Sequence, residues 1–395
     1  MGKNLKHAID LFNVSGHAAI SNGGKYLPTP EEMAQIEIET LAETTNTASM
    51  TSANMTTSAF AQYLYSHATT APTHNEEIAQ ASPKPMKSSD PNKTTISDCY
   101  KYKSLSKYIG LSGKLPIRAP TTFVGLEIEL ENVVLSSLPK STWNNIEDGS
   151  LKNNGREFVT IPIQFKYLEI ELQRLFSGLK NYETTSRCSI HVHINARDFT
   201  LIELKSFIAL YVIFEKSLYK YSGDRIHNNF CSPLIGYPAV VKAFVKALTS
   251  GYIEHQWFKY FGFNLSPIFG GESKPLGTIE FRHMKGNHDI PYIVNWINLI
   301  VSLKLLAKKM PWAEIEEHIK VMNTTSGYYW LAEQIFGQFS PLITEQPTFK
   351  QDVEECISMA KTIFFEEPTK KYEEEIPLIH KTRKSEDVRN SWPRN

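Results

Sequence analysis

Four short strand-like runs of this chain set polar side chains against apolar ones, three of them by strict alternation. They are Leu126-Glu127-Ile128-Glu129-Leu130-Glu131, Arg156-Glu157-Phe158, Ile190-His191-Val192-His193-Ile194-Asn195 and Ile279-Glu280-Phe281-Arg282. A period of two is that of an extended strand, whose successive side chains point to opposite faces. Each run therefore predicts a half-buried strand, with aliphatic and phenyl groups inward and acids, imidazoles or a guanidinium on the other face. Elsewhere the period is helical. Residues 164–179 have that spacing through Phe165, Leu168, Leu172, Leu175 and Phe176. Thr200 and Glu203 form a capping box that opens a helix to about Tyr221, with Gly223 beyond its end. Its stripe of Phe207, Leu210, Tyr211 and Phe214 reads as core. Pro238 opens a shorter helix that stops near Gly251. Pro291 opens a long apolar one through Ile297, Ile300, Leu303 and Leu306, closing on Lys308 and Lys309 as the helix dipole favours. Residues 312–365 read as mostly helical. Strands, a long helix and strands again predict an α+β fold, an antiparallel sheet with helices on one face.

The ends differ from this body. Thr29, Pro30, Glu31 and Glu32 make a helix start, and the helix should run to about Ala42. Residues 44–70 are rich in Thr, Ser and Ala, and residues 81–95 carry Pro83, Pro85 and Pro91 among Lys and Ser. Such composition buries too little apolar surface to offset chain entropy, so it predicts a flexible linker. Phe60, Tyr63, Leu64 and Tyr65 interrupt it as an aromatic cluster, read as a short helix, with a docking peptide as the alternative. The expected organisation is an N-terminal arm over residues 1–98, a catalytic body over 99–310, its helical continuation over 311–366 and a charged tail over 367–395.

Composition narrows the function. The 395 residues carry 42 basic and 42 acidic side chains, so no global charge draws the chain to nucleic acid or an anionic membrane. The cysteines, Cys99, Cys188, Cys231 and Cys356, show no Cys-x-x-Cys spacing. That argues against a zinc ribbon or a disulfide framework and for a reduced, intracellular setting. No apolar run reaches the roughly eighteen residues expected of a membrane span. The start lacks an apolar signal core, and Lys6 stands where a myristoylation signal needs Ser or Thr. Phosphate-binding Gly-x-x-x-x-Gly-Lys-Ser/Thr, Gly-x-Gly-x-x-Gly, Gly-x-Ser-x-Gly and His-Glu-x-x-His patterns are absent.

The polar strand faces carry the candidate chemistry. Carboxylate oxygens suit hard cations, imidazole can join them, and an arginine fork suits phosphate. One strand with alternating glutamates is far more often only a solvated face, and His-x-His alone marks a metal site about as often as a hydrogen-bonded pair. Several such runs in one domain-sized stretch read together as a metal–nucleotide site built on a sheet.

Their order carries a resemblance. Residues 123–310 resemble the amidoligase family, a branch of the glutamine synthetase and glutamate–cysteine ligase superfamily. The matching pieces are Gly125-Leu126-Glu127-Ile128-Glu129, Gly155-Arg156-Glu157-Phe158 with Pro162 following, and Cys188-Ser189-Ile190-His191-Val192-His193. Then come Arg225, Phe230-Cys231-Ser232-Pro233-Leu234, Phe263-Asn264-Leu265 and Gly277-Thr278-Ile279-Glu280-Phe281-Arg282. Ser189 departs from the pattern, which has glycine there in many relatives. The resemblance implies a sheet funnel like the glutamine synthetase catalytic domain. It implies an ATP-dependent carboxylate–amine ligase that works through an acyl phosphate, with Mg²⁺ or Mn²⁺.

It also implies roles. Glu127, Glu129, Glu157, His191 and Glu280 are the expected metal ligands, and Arg282 the arginine on the transferred phosphoryl group. Glu280 and Arg282 are thus the expected catalytic pair. His193 is expected to orient nucleotide or a neighbouring ligand, and Arg225 and Asn264 to meet phosphate or a substrate carboxylate. A loop hydrogen bond serves as well for those last two. Glu131 is expected to be solvated or to stand behind the ligands. The partners implied are a small-molecule or peptide acid and an amine, in the cytoplasm, the host's if the chain is phage-encoded. Two alternatives stay open: a non-catalytic binding or assembly protein on the same scaffold, and a His/Glu metal-dependent hydrolase.

Overall fold

The computed structural model describes residues 88–102, 123–136, 142–253, 257–270 and 275–365. The expected helix after Thr29, the aromatic cluster at Phe60 and the charged tail lie outside them. The strands are β1 (Phe123–Leu135), β2 (Trp143–Glu147), β3 (Arg156–Thr160), β4 (Ile163–Gln164), β5 (Leu179–Glu183), β6 (Ser189–Asn195), β7 (Phe263–Asn264) and β8 (Thr278–Lys285). The helices are α1 (Ile96–Cys99), α2 (Leu168–Ser177), α3 (Leu201–Tyr221), α4 (Pro238–Thr249), α5 (Ser266–Phe269), α6 (Ile290–Lys309), α7 (Trp312–Val321), α8 (Thr325–Phe336), α9 (Pro341–Thr344) and α10 (Phe349–Phe365).

The strands form one eight-stranded sheet in the order β2-β3-β1-β6-β8-β7, with β4 and β5 also pairing β1. Every pairing is antiparallel, so the fold is α+β as expected. The period-two reading holds along the sheet. Leu126, Ile128, Leu130, Ile190, Val192, Ile194, Ile279 and Phe281 all enter one hydrophobic cluster. From α3, Phe207 and Tyr211 bring their rings to Phe281 and Phe263, with centroids 6.1 and 4.5 Å apart. Burying each such ring contributes roughly 2–3 kcal/mol, which is how this face of the sheet takes its helices.

The helix signals act as read. Thr200 Oγ1 accepts from the Glu203 amide while a Glu203 carboxylate oxygen accepts from the Thr200 amide. Asp289 caps α6, whose first residue, Ile290, lies one ahead of the expected start at Pro291. By length and composition α6 is apolar enough to cross a membrane, contrary to the reading that no stretch was. About two-thirds of it (67%) is buried in the fold, as in a core helix.

Two local expectations change. Residues 164–179 are not one helix: Ile163–Gln164 is strand, Phe165–Tyr167 a 3₁₀ turn, and only Leu168–Ser177 α-helix. The strands β2 and β5 were not foreseen, because Asn144, Asn145 and Asn181 give them poor strand propensity. Residues ahead of the expected body also pair with it. The Ser88 amide donates to the Gly251 carbonyl, the Ile96 amide donates to the Phe199 carbonyl, and the Ile96 side chain is wholly buried.

Candidate functional site

Directly opposed residues of an antiparallel pair share a face. The register sets Glu157 against Glu129, Glu127 against His191, and Glu280 against both His193 and Asn264. One ladder thus draws acids, imidazoles and an amide from β3, β1, β6, β8 and β7 onto the face away from the core. The β6–β8 register also slips: Ile190 opposes Met284 and Val192 opposes Phe281, so Arg282 and His283 both stand against His191. This is a β-bulge, a device that re-aims side chains beside functional sites. It keeps Arg282 with Glu280 while His283 turns into the core, fully buried.

Glu127 is the hub. Its Oε2 lies 2.9 Å from His191 Nδ1 and its Oε1 lies 3.1 Å from His193 Nε2. His191 Nδ1 is also 3.4 Å from Glu280 Oε1. Glu280 is held on both sides: Asn264 Nδ2 donates to its Oε2 at 2.7 Å, and the Arg282 guanidinium pairs with its Oε1. Arg282 Nε donates to the Phe230 carbonyl at 3.2 Å, which fixes the plane of the fork.

The electrostatics show what this arrangement lacks. Burial alone would lift Glu127, but the His193 charge and hydrogen bonds from both imidazoles outweigh it and hold its carboxyl well below the usual range. Burial would likewise lift Glu280, yet Arg282, His191 and His193 bring it down. Burial depresses His193, and the Glu127 charge more than restores it. Glu157 has no such help. Burial and then the charges of Glu127 and Glu129 push its carboxyl well above the ordinary value. It makes no hydrogen bond or ion pair that would offset this among the described residues.

Two sets of donor atoms could hold an ion, and they share Glu127. One is Glu127, His193 and Glu280; the other is Glu127, Glu157 and His191. Within each set the donor atoms all lie within 4.8 Å of one another. Oxygen-rich donors with an imidazole fit a divalent cation such as Mg²⁺ or Mn²⁺, and the uncompensated Glu157 is what such a charge would relieve.

The expected residues do not all arrive. Glu127, Glu157, His191, His193, Glu280, Arg282 and Asn264 come together. Asn264 acts on Glu280, and its own Oδ1 accepts from the Ser266 amide. Glu129 is adjacent but belongs to neither donor set; its Oε2 accepts from the Ser189 amide at 2.7 Å and the Ser189 hydroxyl at 2.6 Å. Arg225 does not join the cluster: its Nη1 donates to the Met284 carbonyl at 3.3 Å, the loop hydrogen bond that was its alternative. Glu131 is not solvated. It is fully buried and paired with Arg187, a partner the strand pattern could not reveal. Ser189 and Thr278 were missed. Thr278 Oγ1 lies 3.0 Å from His193 Nδ1. The signal was present: both occupy the alternate position next to a ligand on β6 and β8.

Residues 136–260, 125 of the 395, match the model of a protein family described as "Putative amidoligase enzyme". The match bears out the amidoligase resemblance. It spans β2 through β6 and on past α4, with Glu157, His191, His193 and Arg225, and leaves Glu127, Glu129, Asn264, Glu280 and Arg282 outside. The family's description points to a ligase. No curated protein matches the chain.

Proposed function

We propose that this chain is an ATP-dependent carboxylate–amine ligase of the glutamine synthetase and glutamate–cysteine ligase kind. The observation that carries this reading is the pair of donor sets sharing Glu127, with the Glu157 carboxyl left without a counter-charge beside them. When bound there, Mg²⁺ or Mn²⁺ would supply Lewis-acid neutralisation of triphosphate oxygens, held by Glu127, Glu157, His191, His193 and Glu280.

The reaction needs that neutralisation because a carboxylate is a poor acyl donor. Its oxygen attacks the γ-phosphorus of ATP, the bond to ADP breaks, and an acyl phosphate forms. The amine nitrogen then attacks the acyl carbon, inorganic phosphate leaves, and the amine gives up a proton. Arg282 supplies the guanidinium fork for the transferred phosphoryl group, in a plane set by Glu280 and the Phe230 carbonyl. Asn264 holds Glu280 so that one carboxylate can face both the arginine and the imidazoles.

The test is ATP turnover with a panel of acids and amines. The wild type should release ADP in a Mg²⁺-dependent way, and Glu127→Gln should lower the rate by at least about 100-fold while the far-ultraviolet spectrum is unchanged. Turnover that survives changes at Glu127 and Glu280 overturns the reading. A metal-dependent hydrolase is the second reading, favoured by the presence of an imidazole in each donor set. Tightly held zinc with no nucleotide-induced thermal shift would support it instead.

A further inference from the structure

Arg282 is held at its main chain and its side chain by two loop segments. Its amide donates to the Gly262 carbonyl at 2.8 Å, and its Nε donates to the Phe230 carbonyl at 3.2 Å. The two loops are tied to each other: the Gly262 amide donates to the Ser232 carbonyl at 2.9 Å, and the Ser232 amide to the Tyr260 carbonyl at 2.8 Å. The Arg282 Nη1 goes to Glu280, which leaves Nη2 without a partner among the described residues, as the donor open to a phosphoryl oxygen. A guanidinium is planar, so the Nε contact sets where Nη2 points. That contact ends on a backbone carbonyl, which is only as well placed as the loop that carries it.

The loop is fixed from the core. Tyr211, Glu215 and Tyr219 recur every four residues and so share one face of α3. Glu215 accepts from the Leu234 amide at 2.6 Å, the Ile235 amide at 2.9 Å and the Tyr211 hydroxyl at 3.0 Å. The Tyr219 hydroxyl donates to the Cys231 carbonyl at 2.8 Å. Glu215 and Tyr219 are wholly buried, where loss of either partner strands backbone groups of the loop. A Cβ on Gly262 would collide with the Tyr219 hydroxyl, so the second loop packs directly on the same side chain. From these contacts we infer that Glu215 and Tyr219 are positioning residues. By pinning residues 231–235 they hold the Phe230 carbonyl, and through it they aim the Arg282 guanidinium at the transferred phosphoryl group. What Arg282 grips rests on the ligase reading above; how it is held does not.

Two readouts on the full-length chain test this. The first is the ratio of affinities for the Mg²⁺ complexes of AMP-PNP (the imido analogue of ATP) and ADP, by isothermal titration. It reads the grip on the γ-phosphoryl group and cancels any general loss of folded protein. Arg282→Gln should lower the ratio by about tenfold or more, Glu215→Gln by about fivefold and Tyr219→Phe by about threefold. Because Glu215 acts through the arginine, adding Glu215→Gln to Arg282→Gln should lower it no further. The second readout needs no nucleotide. It is the solvent exchange of the Arg282 Nε–H, followed by ¹H–¹⁵N correlation and assigned by its loss in Arg282→Lys. Exchange in the wild type should be at least about tenfold slower than at a free arginine side chain, and should speed up by about fivefold in Glu215→Gln and in Tyr219→Phe. A wild-type Nε–H that exchanges as freely as an exposed one overturns the inference without any variant needing to fold. So do folded variants that leave both readouts unchanged, and so do additive losses in the double variant. If the wild type does not prefer AMP-PNP to ADP but shows a protected, variant-sensitive Nε–H, the ligase reading fails and the cradle around Arg282 stands.

Discussion

Glu131 and Glu157 lie on neighbouring strands of one sheet, yet their carboxylates meet opposite fates. Glu131 is fully buried and fully supplied: Arg187 donates to it twice, at 2.7 and 2.5 Å, and the Lys152 amide adds a third bond at 2.6 Å. Burial would lift its carboxyl, but the Arg187 hydrogen bond and the Lys152 amide hold it below the usual range. Glu127 and its neighbour Glu157 face other acids and two imidazoles, and Glu157 is left with its carboxyl pushed far up. Glu215, behind the sheet in α3, gives a second example of the supplied kind. Burial lifts it to about 7, yet its oxygens accept from Tyr211 and from the Leu234 and Ile235 amides. An acid taken from water is therefore not in itself a sign of function. The sign is an acid taken from water whose donors have not been provided, because the missing charge must come from outside the chain.

The strongest way to break this comparison is to remove one acid of each kind. Glu131→Ala strands the Arg187 guanidinium and the Lys152 amide, so the melting temperature should fall by roughly 5 °C or more, with or without Mg²⁺. Glu157→Gln removes a repulsion instead. It should leave the metal-free melting temperature at pH 8 unchanged or higher, while abolishing any stabilisation by Mg²⁺. If Glu157→Gln destabilises as Glu131→Ala does, the distinction between supplied and unsupplied acids collapses.

A smaller effect should appear with pH. A group whose folded pKa is raised contributes stability that is complete below its unfolded pKa and lost as pH rises through the folded value. Glu157, His193 and Glu215 are all raised, Glu215 to about 7. Glu127 and Glu280 are lowered, so their contribution is lost only as pH falls below the ordinary carboxylate range. Metal-free protein should thus melt progressively lower between about pH 5 and 8. Saturating Mg²⁺ should remove the part owed to Glu157 and His193 and leave the part owed to Glu215. Identical slopes with and without Mg²⁺, in differential scanning calorimetry, would count against the uncompensated cluster.

Strand periodicity made the polar face legible, because an acid or imidazole at every second position needs no tertiary knowledge to be placed. It could not say which acids would be supplied with donors. Arg187 reaches Glu131 from a separate segment, and nothing in the local pattern of either residue announces the pair. Nor could it foresee the bulge opposite His191, which depends on register between strands some ninety residues apart in sequence. Ser189 and Thr278 were visible as alternate positions but are too common in strands to stand out. The strands β2 and β5 were lost to their asparagines, and the helix before β5 was overextended since Phe165 fits a helical stripe and a 3₁₀ turn equally well.

The finest separation is between two residues that sequence alone had ranked together. Asn264 touches the cluster through Glu280, whereas Arg225 spends its guanidinium on the Met284 carbonyl. Asn264→Ala frees one Glu280 oxygen to swing toward Arg282 and should weaken Mn²⁺ binding by about tenfold, as loss of a ligand's orienting partner does. Arg225→Gln should leave Mn²⁺ affinity within about twofold of wild type, since its hydrogen bond goes to a backbone carbonyl and it shares no side-chain partner with the donor sets. Isothermal titration of the two variants side by side decides it. A loss at Arg225 equal to that at Asn264 would mean that the loop hydrogen bond steadies β8 at the bulge, and that support for the site extends through the sheet to the side where His283 is buried.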